Sequence, residues 1–231
     1  MSLRCYSSQR FESVEFLIQS AHQLEVTPVV KYTALSFFAD RFLPRLIQAN
    51  DVGNWLLQPM GGGNLQLFAL ISVWISSKIH DSHPVLLKSL KSLGDMFITE
   101  QHFTTRDFLE AELVLLQVLN FDIGTSNVAF MFLEELFVRF KGVAKVGELM
   151  SFEACMDLMD LLYEKEETSI LFCSPCSLAA SILVSSYVVT VPKQQWEFPV
   201  LPWVKFVTSC KEEDIVKQVK EILKHVFHPS C

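Results

Sequence analysis

The sequence predicts an all-α protein made of two helical domains in tandem, 1–123 and 124–231, each of about five helices. Three observations carry this. Apolar residues recur at three- and four-residue spacing through most of the chain, the period of one helix face. Half of the 231 residues are hydrophobic and 19% are charged, which is ample for two cores. Nine prolines and eight glycines are few for the many turns of an all-β chain.

The first helix is expected from Arg10 to Leu24, where Phe11, Val14, Leu17, Ile18, Ala21 and Leu24 share a face. Thr27-Pro28 reads as an N-cap followed by proline at the first helical position. The second helix then runs to about Phe42, and Pro44 is expected to stop or redirect it. A short helix can form within PRLIQANDVGNWLLQ. Residues 43–64, with Pro44, Gly53, Pro59 and Gly61-Gly62-Gly63, are otherwise irregular, and the glycine run reads as a flexible connection. A third helix covers Leu65 to Ile79 and a fourth Val85 to Leu93. Thr104 or Thr105 caps the fifth, with Asp107 and Glu110 where the helix dipole favours negative charge. This helix is expected to end near Asn120, with the break at Gly124. The third and fifth helices look apolar enough to be packed on nearly every side.

The second half keeps the rhythm. Ser126 to Phe140 is helical, Ser151 caps FEACMDLMDLLYE, and Pro175 opens a helix that Pro192 closes. Trp196 to Pro202 is a loop, and Pro202 opens WVKFVTS. Glu212 to Val226 is amphipathic through Ile215, Val219, Ile222, Leu223 and Val226.

Composition narrows the function. A formal charge of −7 with no basic cluster argues against nucleic acid as the main partner. Lys211, Lys217, Lys220 and Lys224 alternate with acids and read as a solvated helix face. The apolar runs at 67–79 and 178–191 are shorter than the roughly 20 residues that span a bilayer, so no membrane role is expected. The N-terminus lacks the apolar segment of a secretory signal, which implies an intracellular chain with reduced thiols. Cys173-x-x-Cys176 has neither a second ligand pair nor a βαβ context, and reads as two small buried hydrophobes at a helix start. The glycine run lacks the preceding strand and the Lys-Ser/Thr of a phosphate loop. His80, Asp81 and His83 lie close enough to suggest a metal site, but in a polar turn where solvated side chains are ordinary. No hydrolase or metalloprotease motif appears, so neither enzyme activity nor a cofactor or metal is expected. Lys78 and Glu112 are opposite charges in the most apolar part of the chain. They form either an internal salt bridge that shapes the bundle or a pair kept for a partner.

Several blocks, in order, resemble a known family. FADRF, with Asp40 and Arg41, is similar to the end of the second helix of the cyclin box. LISVWISSKIHDSHP resembles its third helix and the turn that follows, and FLEAELVLLQVLNFDIG its fifth helix and exit. SPCSLAASILVSSYVV resembles a helix of the second cyclin fold. The ordered set covers most of the chain and resembles the cyclins, most nearly the plant J-type cyclins. The resemblance implies two tandem cyclin-like five-helix domains.

It also implies a regulatory cyclin that binds and activates a cyclin-dependent protein kinase in cell-cycle or cell-division control, contributing no catalytic group. Lys78 and Glu112 match the cyclin-box pair that holds backbone ahead of the kinase C-helix. Ile75, Ile79, Phe121 and Ile123 match the surrounding apolar anchors, while Arg10, Asp40 and Arg41 match the box signature. Nuclear residence, with the cytoplasm as a second compartment, follows from the family. Departures stand beside these matches. His80 and Asp81 replace the two acids usual after the lysine, and Phe16 stands where tryptophan is common. Glu12 and Ser13 replace aliphatics of the groove that docks Arg-x-Leu substrates and inhibitors, so only a diverged, weak groove is expected. The alternative within the fold is an adaptor or transcription-type scaffold that does not activate a kinase.

Overall fold

The computed structural model describes residues 3–48, 54–57, 61–124, 128–143, 145–165, 168, 171, 174–193 and 198–227. Gly53, Pro59, Ser126, Cys173, Trp196, His228 and Cys231 lie outside the described residues. The chain divides into two compact units, Met1–Thr125 and Ser126–Cys231. Among the described residues both are helical and contain no strand. No helix of the described residues is long and apolar enough to cross a membrane.

The first unit holds α1 (Leu3–Gln23), α2 (Pro28–Leu35), a π-helical segment (Ser36–Phe42), α3 (Leu43–Gln48), α4 (Gly62–His80), α5 (Leu87–Phe97) and α6 (Thr105–Val118). The second holds α7 (Ala129–Val143), a 3-10 turn (Lys145–Leu149), α8 (Phe152–Glu164), α9 (Pro175–Thr190), α10 (Val200–Thr208) and α11 (Glu212–Phe227). Because α2, the π segment and α3 run on without a break, the described residues form five helical rods in each unit.

Each unit is organised around one helix. α4 packs against α1, α2, α5 and α6, and α9 against α7, α8, α10 and α11. Both central helices are apolar and bear serines on their buried faces. Ser72 donates to the carbonyl of Phe68 at 2.8 Å, so a small polar side chain is satisfied within its own helix. Ser76 instead donates across to the Val30 carbonyl at 2.8 Å, joining α4 to α2. In the second unit Phe140 meets Tyr187 and Phe198 edge to face and Trp203 at a tilt.

Four expectations change. α6 is not packed on every side: it buries Phe108, Ala111, Val114 and Leu115 and leaves Leu109 and Leu113 half-exposed. Its apolar count is high because both faces carry leucine, so composition alone misjudged its burial. Pro44 does not end its helix. The ladder has already widened to i→i−5 before it, with the Leu43 amide reaching the Phe38 carbonyl, and the chain passes through Pro44 into α3. The glycine run is helical from Gly62. The Gly63 amide donates to the Glu100 carboxylate at 3.2 Å, so an acid distant in sequence occupies the positive end of α4 where a phosphate would otherwise sit. Finally, α10 begins at Val200, ahead of Pro202, with Pro199 at the N-cap.

Candidate functional site

The site forms where the last turn of α4 meets the middle of α6. Trp74 and Lys78 are one turn apart on α4 and so lie one above the other. The Lys78 ammonium sits 3.3 Å from the centre of the Trp74 ring, a cation–π contact. From α6, Glu112 Oε1 accepts from Lys78 Nζ at 2.6 Å. The lysine side chain is 37% exposed and the glutamate 21%, so the pair sits at the surface with acceptor and donor capacity to spare. Each charge is held from its own helix, and the ring beneath fixes the ammonium further.

The end of α4 is itself tied down. The Asp81 amide closes the helix on the Ser77 carbonyl at 2.9 Å, and Ser77 Oγ accepts from the Val85 amide at 3.2 Å, which folds the following turn back. His80 Nε2 lies 3.0 Å from Thr33 Oγ1 of α2. Partial burial pulls the His80 pKa below its ordinary value, against the opposing pull of Asp81. Thr27 takes the backbone position of an N-cap but turns its hydroxyl to Asp81 at 3.4 Å. The positions that suggested a metal site therefore have local partners, and among the described residues no three ligating side chains converge.

The exit of α6 carries Phe121 and Ile123, the other anchors expected from the sequence. Asn120 and Phe121 both adopt positive φ, 54° and 55°, which turns the chain sharply after Leu119. Positive φ is costly for a bulky residue, and here it leaves Phe121 61% exposed, with Ile123 beside it. Arg41 holds this turn from the π segment. Its guanidinium donates to the Asp122 carbonyl at 3.1 Å and to the Gly124 carbonyl at 2.8 Å, and stacks over Phe37. Arg45, four residues on, donates to the Val118 carbonyl at 3.3 Å. Two cations thus serve the negative end of α6, where carbonyls lack helical partners.

The anchors anticipated from the sequence do not share one environment. Ile79, Phe121 and Ile123 are exposed, whereas Ile75 is only 4% exposed and lies under the surface, in the core. Arg10 is buried and Asp40 half-buried, and both have partners within the fold. Sequence reasoning missed Trp74 and Arg45. It also missed Leu109 and Leu113, which share a helix face with Glu112; their four-residue spacing on either side of a charge was the available signal. Near α1, Ser13 is buried and donates to the Gln9 carbonyl, while Glu12 is exposed. A cavity of about 150 Å³ lies alongside, lined by Phe16, Gln19, Ser20, His22, Gln23 and Phe97.

The comparisons agree with this architecture. The family described as Cyclin, N-terminal domain, matches residues 4–124. Cyclin-J18 of Arabidopsis thaliana is 61% identical over 218 residues, covering 93% of both chains. Cyclin-J18-like of Oryza sativa subsp. japonica is 52% identical over 231 residues, covering 96% of this chain and 88% of that one. The G2/mitotic-specific cyclin-A of Drosophila melanogaster is 20% identical over 93% of this chain and 37% of its own. Among solved structures, a viral cyclin from herpesvirus saimiri superimposes with a TM-score of 0.70 over 97% of this chain and 86% of that one, at 18% identity, which speaks to the fold. The chain belongs to the cyclin family, among the plant J-type cyclins.

Proposed function

We propose that this chain is the regulatory subunit of a cyclin-dependent protein kinase, which it binds and activates through the surface centred on Lys78 and Glu112. The observation that carries the reading is the half-exposed ion pair, fixed over Trp74, with Ile79 exposed next to Lys78 and Phe121 and Ile123 exposed at the exit of α6. A charge pair with unused hydrogen-bonding capacity suits capture of another chain's backbone, and exposed apolar residues on the same two helices suit exclusion of water from the contact. Kinase chemistry requires an ion pair between a strand lysine and a C-helix glutamate, so a protein that pushes that helix inward switches the enzyme on without supplying a catalytic group. Under this reading Ile75 supports the surface from beneath. Cell-cycle or cell-division control and residence in the nucleus, with the cytoplasm as a second compartment, complete the proposal.

Substrate or inhibitor docking is a lesser part of the same reading. The cavity beside α1 is small against the roughly 300–1,000 Å³ of ordinary ligand sites, and exposed Glu12 stands where an aliphatic would grip. Arg-x-Leu peptides are therefore expected to bind weakly or not at all.

Co-purification with a panel of cyclin-dependent kinases, wild type beside Lys78→Glu and Glu112→Ala, followed by a kinase assay, tests the proposal. Binding and activation by the wild type, lost in both variants, are expected. Binding without activation would replace activator with adaptor. No binding to any kinase by a folded chain would overturn the kinase role and leave a cyclin-fold scaffold.

A further inference from the structure

The second unit carries a thiol pair that the proposed kinase surface does not use. Cys176 is the second residue of α9. Cys210 lies in the short connection from α10 to α11, just after Ser209, whose φ of 57° reverses the chain. The Cys210 thiol donates to Cys176 Sγ across 3.8 Å, and both residues are half-buried rather than sealed in the core. Sequence reasoning took Cys176 for a small buried hydrophobe, because its neighbour comes from 34 residues away.

Several contacts hold this approach. The Cys210 amide is bound by Thr208 Oγ1 at 3.2 Å, and the Ser209 amide by the Lys205 carbonyl at 2.9 Å. Ser177 and Ser181 of α9 both donate to Gln218 of α11, at 3.0 and 2.9 Å. The backbones are therefore held on either side of the thiols, and the two sulfurs at 3.8 Å must close to a bond of about 2.05 Å. Cys155 is the contrast: it is wholly buried in α8.

We propose that Cys176 and Cys210 are a reversible disulfide site, closed by a hydroperoxide oxidant, that locks the α10–α11 corner onto the start of α9. One thiolate attacks a peroxide oxygen; the O–O bond breaks, the sulfur becomes a sulfenic acid and the released hydroxide takes up a proton as water. The second sulfur then attacks the sulfenyl sulfur. The S–S bond forms, the S–O bond breaks and a second water leaves. Two thiols give up two electrons, the peroxide takes them, and a thiol reductant reverses the exchange. Burial, then the neighbouring Cys210 and the Glu135 carboxylate, push the Cys176 thiol up to about 11, so Cys176 rests as the protonated thiol.

The test treats the full chain with hydrogen peroxide, blocks remaining thiols with maleimide and maps peptides without reduction. A linked peptide pair containing Cys176 and Cys210 is expected, together with a Tm higher by about 5 °C or more and reversal of both changes by dithiothreitol. Cys176→Ser and Cys210→Ser should each abolish the link and the Tm shift, and Cys155→Ser should leave them. Full maleimide labelling of both cysteines after peroxide would overturn the proposal, and this readout needs no variant. So would a link from either to another cysteine, or a link that leaves Tm unchanged.

Discussion

Glu112→Gln keeps the shape of the side chain and removes its charge, and so separates a pair that shapes the fold from a pair kept for a partner. At 2.6 Å two unit charges attract by about 6 kcal/mol at an effective dielectric of 20, and by about 1.6 kcal/mol in bulk water. With side chains 37% and 21% exposed, solvent screens most of this, and pairs of this kind contribute about 1 kcal/mol or less. In the free chain the substitution should therefore shift Tm by no more than about 4 °C. Covered by a partner, the same pair loses its water. Truncating one member then costs about 2–5 kcal/mol, or about 30-fold to several thousand-fold in Kd. Titration calorimetry against the cognate kinase, beside a thermal melt of the free chain, reads both quantities. Trp74→Leu should give a smaller binding loss, about 2- to 30-fold, because the cation–π contact goes and the ion pair stays. A large drop in Tm with an unchanged Kd would refute the reasoning and assign the pair to the fold alone.

Phe121→Gly should raise stability by up to about 1 kcal/mol, since glycine adopts the positive φ without strain, yet weaken kinase binding about tenfold or more by removing the exposed anchor; melts and binding assays on one preparation decide this. Arg41→Ala removes two charge-assisted bonds from the α6 exit and should cost about 1.5–3 kcal/mol, with faster hydrogen exchange at Phe121–Gly124 as the local readout. Gly94→Val should destabilise by about 1–3 kcal/mol in urea melts, because an added Cβ already meets Phe108 at 3.2 Å and Leu70 at 3.5 Å, and Phe108 is buried with nowhere to move. The folded-state pKa of His80 is depressed, so on acidification below about 6.5 the unfolded chain takes up protons before the folded one does. Stability present above that value should fall until pH passes the folded pKa, and His80→Asn should flatten that part of a pH-dependent melt.

Helix identity was legible wherever the signal was local. Ser151 caps its helix as read, and of the two candidates Thr104 and Thr105 it is Thr104 that caps α6: each capping hydroxyl accepts an amide three residues on, with Asp107 completing a capping box, and such geometry needs no more than four consecutive residues. Pro175 opens α9 for the same reason. Lys78 and Glu112 stood out because charges are conspicuous in apolar helices. Their pairing at 2.6 Å spans 34 residues, and only the packing of α4 on α6 brings it about. The exposures of Ile75 and Ile79 could not be told apart in advance, since four residues of helix separate core from solvent only once the neighbouring helices are in position.

The sequence by itself determined the all-α class and the order of the helices, and made Lys78 and Glu112 conspicuous, because periodicity and caps are written in short windows. Tertiary structure decided which apolar helix is central, for α4 and α6 are each more than half apolar and only α4 has neighbours all round. It also decided how the ends are satisfied. Glu100 caps α4 from 37 residues away, and Arg41 binds the exit of α6 across 81 and 83 residues. Unpaired backbone groups at helix termini take whatever partner the fold delivers, and that choice lies beyond any local pattern.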